Sequence, residues 1–580
     1  MWYIAQTVRV FSRTKNKMTK ISALLVSDFN GESFTGYLNN DTRAPQIACQ
    51  MAPFGQVVQS LADETLPCWR ETPDLVLVWT TPERQLPSFR AAIDNPLCQP
   101  ELLMAEVDEF CRLIQQAAGR VRTIFVTSWV MSSANRGLGL IDLKQNSGCA
   151  HMLLRANLRL VENLKGLTNV YVLNAQRWLE LAGAARAYDS TLWYMGKVGF
   201  GLDVQKQAVH DVKAALQALT GMTRKLIVLD LDDTLWGGII GDVGLEGLRL
   251  GGHDPVGEAL VDLQRYLKAL KNRGILLGIV SKNEENLALQ AISQHPEMVL
   301  RVEDFAGWRI NWKDKADNLL DLVKELNVGL QSVVFIDDNP AERFRIQKAF
   351  PEVLVPEWPK DKLRYPAALQ ALDCFDLPAI TPEDAARSDH FLAERLRKAV
   401  QTESASVSDW LQGLDTTVTV EPLSLAHLPR ATQLLNKTNQ MNLSTRRMTE
   451  SEFWAWSQNN DNRVWTFRVS DRFGDAGLIG IVGLQQKGTT ATMVDFVLSC
   501  RVMGRRIEET MVHVAAHKAK QLGLNCLCAT YRPTPRNQPC VEFLEKRSAF
   551  RRQNADEPYS LSLDNPPPLP DCIKLIDGSK

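Results

Sequence analysis

The sequence predicts a multidomain α/β protein that closes with an α+β domain, on three grounds. At 580 residues the chain is several times the size of one compact unit, taken at roughly 150 residues. Short apolar runs alternate with helix-patterned stretches through most of its length, the rhythm of parallel sheets. From Thr416 onward that rhythm gives way to antiparallel strands and helices.

Taken in order, residues 1–20 read as a basic tail in which Met18 offers an alternative start. Residues 21–221 form a first α/β domain, with strands at 22–26, 75–79, 122–126 and 170–173 and a helix at 152–163. Residues 222–385 form a second. Its leading strand, 225–230, is a continuous apolar run suited to burial on both faces. A helix at 255–273 closes at Gly274, and strands follow at 275–280, 298–300 and 332–336, with a helix near 316–326. Prolines 351, 356, 359, 366 and 378 then break the periodicity, and an amphipathic helix from Pro382 to about Val400 enters a linker at 386–415. The last domain, 416–580, has strands at 418–421, 465–469, 479–485 and 492–500, helices at 428–437 and 505–522, and a final strand at 573–576.

Composition excludes several roles. There are 66 basic and 67 acidic residues, a net charge of −1, so no electrostatic surplus exists for wrapping nucleic acid. No apolar run approaches the ~18 residues that cross a bilayer. Eleven scattered cysteines, without a secretory signal, predict reduced thiols and a cytoplasmic protein. Cys526 and Cys528 read as core packing.

The clearest chemistry lies in the second domain. Asp230 and Asp232 emerge at the carboxyl end of a buried strand, where open α/β sheets place ligands. Asp230 can attack phosphorus; Asp232 can protonate the leaving oxygen and then activate water. A phosphate beside carboxylates needs a hard cation, which predicts Mg²⁺. Taken alone, Asp232, Asp233 and Thr234 are as well explained as a helix cap. Three further strand ends decide for chemistry: Ser281-Lys282-Asn283, Lys315, and Asp337-Asp338 supply a phosphate hydroxyl, a neutralising cation and a second metal carboxylate.

This ordered set resembles the haloacid dehalogenase (HAD) superfamily: Asp230-x-Asp232-x-Thr234, Ser281, a lysine and Asp337-Asp338. The stretch from Asp232 to Gly251, Ser281-Lys282-Asn283, Asn311-Trp312 with Lys315, and Phe335 to Arg343 are similar to its FkbH-like branch, subfamily IIIC. The resemblance implies a HAD-like Rossmannoid sheet and an enzyme that takes a glyceryl group from 1,3-bisphosphoglycerate, removes phosphate, and loads the glyceryl as a thioester on a phosphopantetheinylated acyl carrier protein for polyketide-type biosynthesis. It implies that Asp230 is nucleophile and metal ligand, Asp232 acid/base with its carbonyl on the metal, and Asp337 the third ligand. Lys315 takes the W-x-x-K position, and Thr234, Ser281, Asn283 and Asp338 face substrate or phosphate. The glycine-rich stretch 236–252 predicts a small hairpin flap and leaves no room for a large cap. Many FkbH-like sequences carry a cysteine where this chain has Val280, so a thioester on the enzyme is not expected there. Direct transfer to the carrier thiol, use of another cysteine, and an altered substrate stay open; Cys374, without a basic neighbour, reads as packing.

The flanking domains carry weaker patterns. Arg501, Gly504, Arg505 and Arg506 sit between a strand and a helix N-terminus, an arrangement that can cradle a pyrophosphate. With Leu434 to Arg447 they resemble a GCN5-related N-acetyltransferase (GNAT), which implies pantetheine binding or a structural remnant. The first domain resembles an SGNH hydrolase at Ser27-Asp28-Phe29-Asn30, with Asn135 as an oxyanion donor. Asp189-x-x-Leu192 has leucine where such an enzyme has its histidine, so a scaffold without a triad is expected, His151 and His210 reading as packing or surface residues. The alternatives to glyceryl transfer are a small-molecule phosphatase fused to an N-acetyltransferase and a non-enzymatic carrier-docking scaffold.

Overall fold

The computed structural model of the chain describes residues 20–94, 100–132, 135–145, 148–377, 397, 400–401, 406–438, 440–448, 450–534, 537–552, 554 and 557–578. The expected tail before residue 20 and most of the expected helix at 382–400 lie outside the described residues. Two compact units are formed, Met1–Thr223 with Leu372–Pro378, and Arg224–Ala371 with Ala379–Lys580, and the second holds two separate sheets. The fold class is α/β in several domains. No helix among the described residues is long and apolar enough to cross a membrane.

The first unit is a parallel sheet of β1 (Ile21–Ser27), β2 (Ile47–Met51), β3 (Leu75–Trp79), β4 (Thr123–Thr127) and β5 (Val170–Leu173), in the order β2-β1-β3-β4-β5. Alternate side chains of a strand point to opposite faces. Leu24 and Val26 accordingly enter one apolar core while Ala23 and Leu25 enter another, and helices cover both.

The second sheet, β6 (Leu226–Leu229), β7 (Leu276–Ser281), β8 (Phe305–Ile310) and β9 (Val333–Ile336), has the parallel order β8-β7-β6-β9. All four residues of β6 are fully buried, as its apolar run predicts. The helix Pro255–Asn272 starts where the Asp254 carboxylate accepts the N–H of Gly257, with proline in its first turn, and gives way to Gly274 at φ +93. One expected strand is corrected. Residues 298–300 are not a strand, because the N–H groups of Val299 and Leu300 donate to the buried side-chain oxygen of Gln264 instead of to a neighbouring strand. The strand begins at Phe305.

The third sheet is mixed. It contains β10 (Thr416–Pro422), β11 (Met441–Asn442), β12 (Asn462–Asp471), β13 (Gly474–Lys487), β14 (Thr490–Leu498), β15 (Cys526–Ala529), β16 (Tyr559–Ser562) and β17 (Ile573–Asp577). Its path is β16-β15-β14-β13-β12-β10-β17, with β11 on β14; β14 and β15 are parallel, as are β10 and β17. The helix Ile507–Gln521 packs Met511 and Ala515 into its core.

Candidate active site

In the second sheet the chain moves outward from β6 through β7 to β8, then returns to place β9 on the other side of β6. That reversal is a topological switch point, where open α/β sheets bind ligands beyond their carboxyl ends. The register pairs Leu229 with Ile336, which sets Asp230 and Asp337 side by side just past their strands. Ser281 ends β7, and Lys315 begins the helix after β8, behind its N-cap Asp314.

Lys315 is the hub. Its ammonium lies 2.9 Å from Asp230 and 2.7 Å from Asp337, with the lysine and both carboxylates buried. Burial works against its charge, but the two carboxylates outweigh it and hold its pKa above the ordinary lysine value. Lys313 stays exposed. Asp337 is pushed up by burial and by the Asp230 charge, against the pull of Lys315. Asp230, Asp337 and Asp338 each offer a carboxylate oxygen within 4.8 Å of the others. An all-oxygen donor set of this kind suits Mg²⁺.

Asp232 is held apart from that cluster. One oxygen accepts the indole N–H of Trp236 (2.8 Å) and the N–H of Ile240 (3.1 Å); the other accepts the amide of Asn283 (2.9 Å). Three donors fix the carboxyl in one orientation, as a proton-transfer group requires. Burial raises its pKa, partly offset by Trp236 and Ile240. Asn283 thus orients Asp232 while also lining the cleft, and fully buried Trp236 is a positioning residue that the sequence marked only as part of a glycine-rich stretch.

Thr234 is placed differently from the sequence expectation. It is fully buried, and its hydroxyl accepts the N–H of Asp338 at 3.1 Å, so it ties the two motif loops together instead of facing phosphate. Asp338, expected to face substrate, joins the metal-type cluster, and Arg343 clamps its loop by donating to the carbonyls of Asp337 and Asp338, both at 2.7 Å.

The resulting cleft has a volume of 500 Å³, and Asp230, Asp232, Ser281, Lys315 and Asp338 all line it. The flap over it is a hairpin closed by one bridge, in which Gly237 and Arg249 exchange backbone hydrogen bonds (3.0 and 2.9 Å), with a short helix, Ile240–Val243, inside. Gly238 at φ +99 allows its N–H to meet the Asp233 carboxylate at 2.7 Å. Ile239 and Trp312, 50% and 76% exposed, give the cleft an apolar rim. Val280 is fully buried in the β7 core, and among the described residues no cysteine lines the cleft.

In the third sheet, three of the four residues expected to form the pantetheine cradle make internal polar contacts. The N–H of Gly504 donates to the buried Glu508 carboxylate at 2.8 Å. Arg505 is buried, 3.2 Å from Asp471, and donates to the carbonyl of Arg501 at 2.7 Å; Arg506 pairs with Glu509 at 3.2 Å. Asp471 also takes both donors of Arg397, at 2.7 and 2.8 Å. In the neighbouring motif, Arg446 pairs with fully buried Asp495 and lies 4.0 Å from the ring centroid of Trp456. Carboxylates thus engage the Gly504 N–H and the guanidinium groups of Arg505 and Arg506.

The first unit assembles no triad at the expected residues. Ser27 is buried and its hydroxyl accepts the N–H of Phe29; Asp189 caps the helix Ser190–Gly196; His210 pairs with Asp373 at 3.2 Å. Asp28 is buried at the end of β1, where the Thr81 N–H (3.1 and 2.9 Å) and hydroxyl (3.1 Å) donate to its carboxyl. Burial nevertheless pushes its pKa up from 3.8 to about 7. Because the folded value is the higher one, this group adds stability that is complete below its unfolded pKa and lost as pH rises through about 7. Asp28→Asn is therefore expected to be more stable than the parent near pH ~8, by on the order of 2 kcal/mol, with the gain gone near pH ~4. Calorimetry across that range checks it, and a pH-independent difference would refute it.

No family model matches the sequence, and no curated protein matches it. Among solved structures the chain is similar to the N-terminal part of the protein BF1531 from Bacteroides fragilis, which contains a phosphatase domain and was crystallised complexed with Mg: identity is 25% and the TM-score 0.56, over 62% of this chain and 95% of that one. Weaker similarity extends to the ribosomal-protein-S18-alanine N-acetyltransferase of Escherichia coli, at 13% identity and TM-score 0.19 over 25% of this chain and 94% of that one. The spermidine/spermine N-acetyltransferase SpeG of Vibrio cholerae matches at 15% and 0.20, over 26% and 95%.

Proposed function

We propose that the second-sheet cleft is a Mg²⁺-dependent phosphoryl-transfer site, and that through it the chain loads a glyceryl group from 1,3-bisphosphoglycerate onto a phosphopantetheinylated carrier protein. The observation that carries the phosphatase chemistry is the convergence of Asp230, Asp232, Lys315 and Asp338 on one cleft, with Asp337 buried beside Asp230 and Lys315 and with Asp232 oriented separately from the other carboxylates. The similarity to the BF1531 phosphatase domain crystallised with Mg supports the same reading. Asp230, Asp337 and Asp338 would hold the ion, which when bound neutralises phosphate charge beside the carboxylates.

The chain's own groups then divide the work. The Asp230 carboxylate attacks the phosphorus of the ester phosphate, forming an aspartyl phosphate and breaking the bond to the sugar-acid oxygen. Asp232 gives its proton to that leaving oxygen, then takes a proton from the water that hydrolyses the aspartyl phosphate, and inorganic phosphate leaves. Lys315 and Ser281 hold the transferring phosphoryl oxygens. The acyl phosphate is consumed separately: the carrier thiol attacks its carbonyl, a thioester forms and the second phosphate departs. Val280 and the absence, among the described residues, of a lining cysteine favour direct attack by the carrier thiol over a thioester on the enzyme.

The finer part of this reading rests on the FkbH-like motifs, with the open, lightly flapped cleft in support. It is tested by incubating the chain with Mg²⁺, 1,3-bisphosphoglycerate and phosphopantetheinylated carrier proteins, then weighing the carriers. A carrier heavier by one unphosphorylated glyceryl group is the expected result. Phosphate release with every carrier unmodified would reject glyceryl loading and leave a phosphatase.

A further inference from the structure

The first sheet has a switch point of its own, between β1 and β3, since β2 lies outside β1 while β4 and β5 lie outside β3. A cleft of 690 Å³ opens there, lined by Thr81 and Arg84 after β3, Asn135 after β4, and Tyr188, Trp193 and Phe200. Its volume falls in the range of small-molecule sites. The walls are fixed from behind. Asp28 holds Thr81 through three hydrogen bonds, and Phe200 stacks on buried Trp79, with centroids 5.0 Å apart and planes at 20°.

Cations predominate around the cleft, with the Asp28 carboxyl behind Thr81 close enough to act on Arg84. The Arg84 guanidinium lies 5.6 Å and the Lys197 ammonium 5.3 Å from the centroid of the Trp193 ring. Among the described residues neither cation forms an ion pair with a carboxylate; Arg84 lines the cleft and Lys197 lies behind Trp193, whereas Arg90, in the lining, is 3.5 Å from Asp94. Glu83 is the one acidic residue among the described residues of the lining, and burial raises its pKa, which weakens its opposition to a bound anion. Ile93, Val130 and Leu179 add apolar wall, and Ser132 a further polar group.

We infer that this cleft binds an organic oxyanion, a carboxylate or a phosphate ester on a flat apolar body, with the anion at Arg84 and Lys197 and the body against Tyr188, Trp193 and Phe200. Asn135 supplies a neutral donor for orientation. The Arg84 guanidinium and the Lys197 ammonium, each held near the Trp193 ring, supply charge-assisted donors for an anion, and the aromatic walls take up the apolar remainder. Without a histidine base at Leu192 the site is one of binding, not hydrolysis, and it is independent of the phosphoryl chemistry proposed for the second sheet.

The test is calorimetric titration of the full chain with benzoate and with phenyl phosphate, against benzyl alcohol and inorganic phosphate as comparators. Asp230→Asn is present throughout, so that phenyl phosphate is not turned over. Millimolar or tighter binding of benzoate or phenyl phosphate is expected, whichever of the two binds better identifying the oxyanion, with both comparators weaker. Arg84→Ala and Lys197→Ala should each weaken it about tenfold, the scale of one charge-assisted contact. In the chain with Asp230 intact, Arg84→Ala should leave phosphate release unchanged. Benzyl alcohol binding as tightly as benzoate, no binding of either anion, or affinity indifferent to Arg84 would each overturn the proposal.

Discussion

Asp230→Asn is expected to abolish phosphate release, lowering its rate on the order of 10⁴-fold or more, the scale on which enzymes lose activity when a covalent nucleophile is removed. Asparagine keeps the size of the side chain, and an amide oxygen can still accept from Lys315, so the neighbouring Lys315–Asp337 pair at 2.7 Å should survive. What is lost is an anionic oxygen able to attack phosphorus. The measurement is phosphate release from 1,3-bisphosphoglycerate under single-turnover conditions, with circular dichroism to confirm folding. A folded variant with parental turnover would remove Asp230 as the nucleophile, and the chemistry would have to pass through another carboxylate of the cluster.

Why this residue was legible is a matter of topology. Leu226 to Leu229 are apolar at every position, and in a soluble chain such a run belongs inside a parallel sheet, so the first carboxylate after it lies at the sheet's ligand-binding edge. The same reasoning placed Ser281, Lys315 and Asp337 at one edge, and the register of β6 on β7 and β9 puts them there. Lys315 was separable from Lys313 by its position relative to Trp312, and the Asp314 cap explains why: the helix starts at Lys315 and turns that side chain inward.

The parts that were not legible depend on partners distant in sequence or on loop conformation. Trp236 and Ile240 reach Asp232 only because the chain reverses after it, with Asp233 at φ +54. Thr234 turned from the cleft to Asp338, a partner 104 residues away, to which its hydroxyl is hydrogen-bonded. The glycine and arginines at 501–506 have the spacing of an anion cradle, but spacing does not show their internal partners, among them Glu508 on Gly504 and Asp471 on Arg505. Residues 298–300 had strand-like side chains, yet Gln264, some 35 residues away, took their backbone donors. The cleft of the first unit draws on loops and helices from Thr81 to Phe200, and of its lining only Asn135 stood out in the sequence.

Lys315→Met is expected to have the second large effect, on stability as well as rate. Methionine approximates the length of lysine without its charge, and the position is 3% exposed, so the substitution leaves Asp230 and Asp337 facing one another with no cation between them. Removing one partner of a buried ion pair costs roughly 3–5 kcal/mol, because the remaining charges keep their desolvation penalty and lose its compensation. Here two carboxylates are stranded, and they also repel. The loss should appear in calorimetry at neutral pH without added metal, and Mg²⁺ should restore more stability to the variant than to the parent, since a cation bound at Asp230, Asp337 and Asp338 would replace the missing charge. Restored folding should not restore activity: the ammonium that offsets phosphoryl charge would still be absent, and a preorganised donor of this kind is worth about 10²–10³ in rate. Lys315 thus does two separable things, and the Mg²⁺ titration separates them. Equal Mg²⁺ responses in variant and parent would mean that the three carboxylates do not form a cation site. Full activity in Mg²⁺-stabilised Lys315→Met would reduce the lysine to a structural counter-ion.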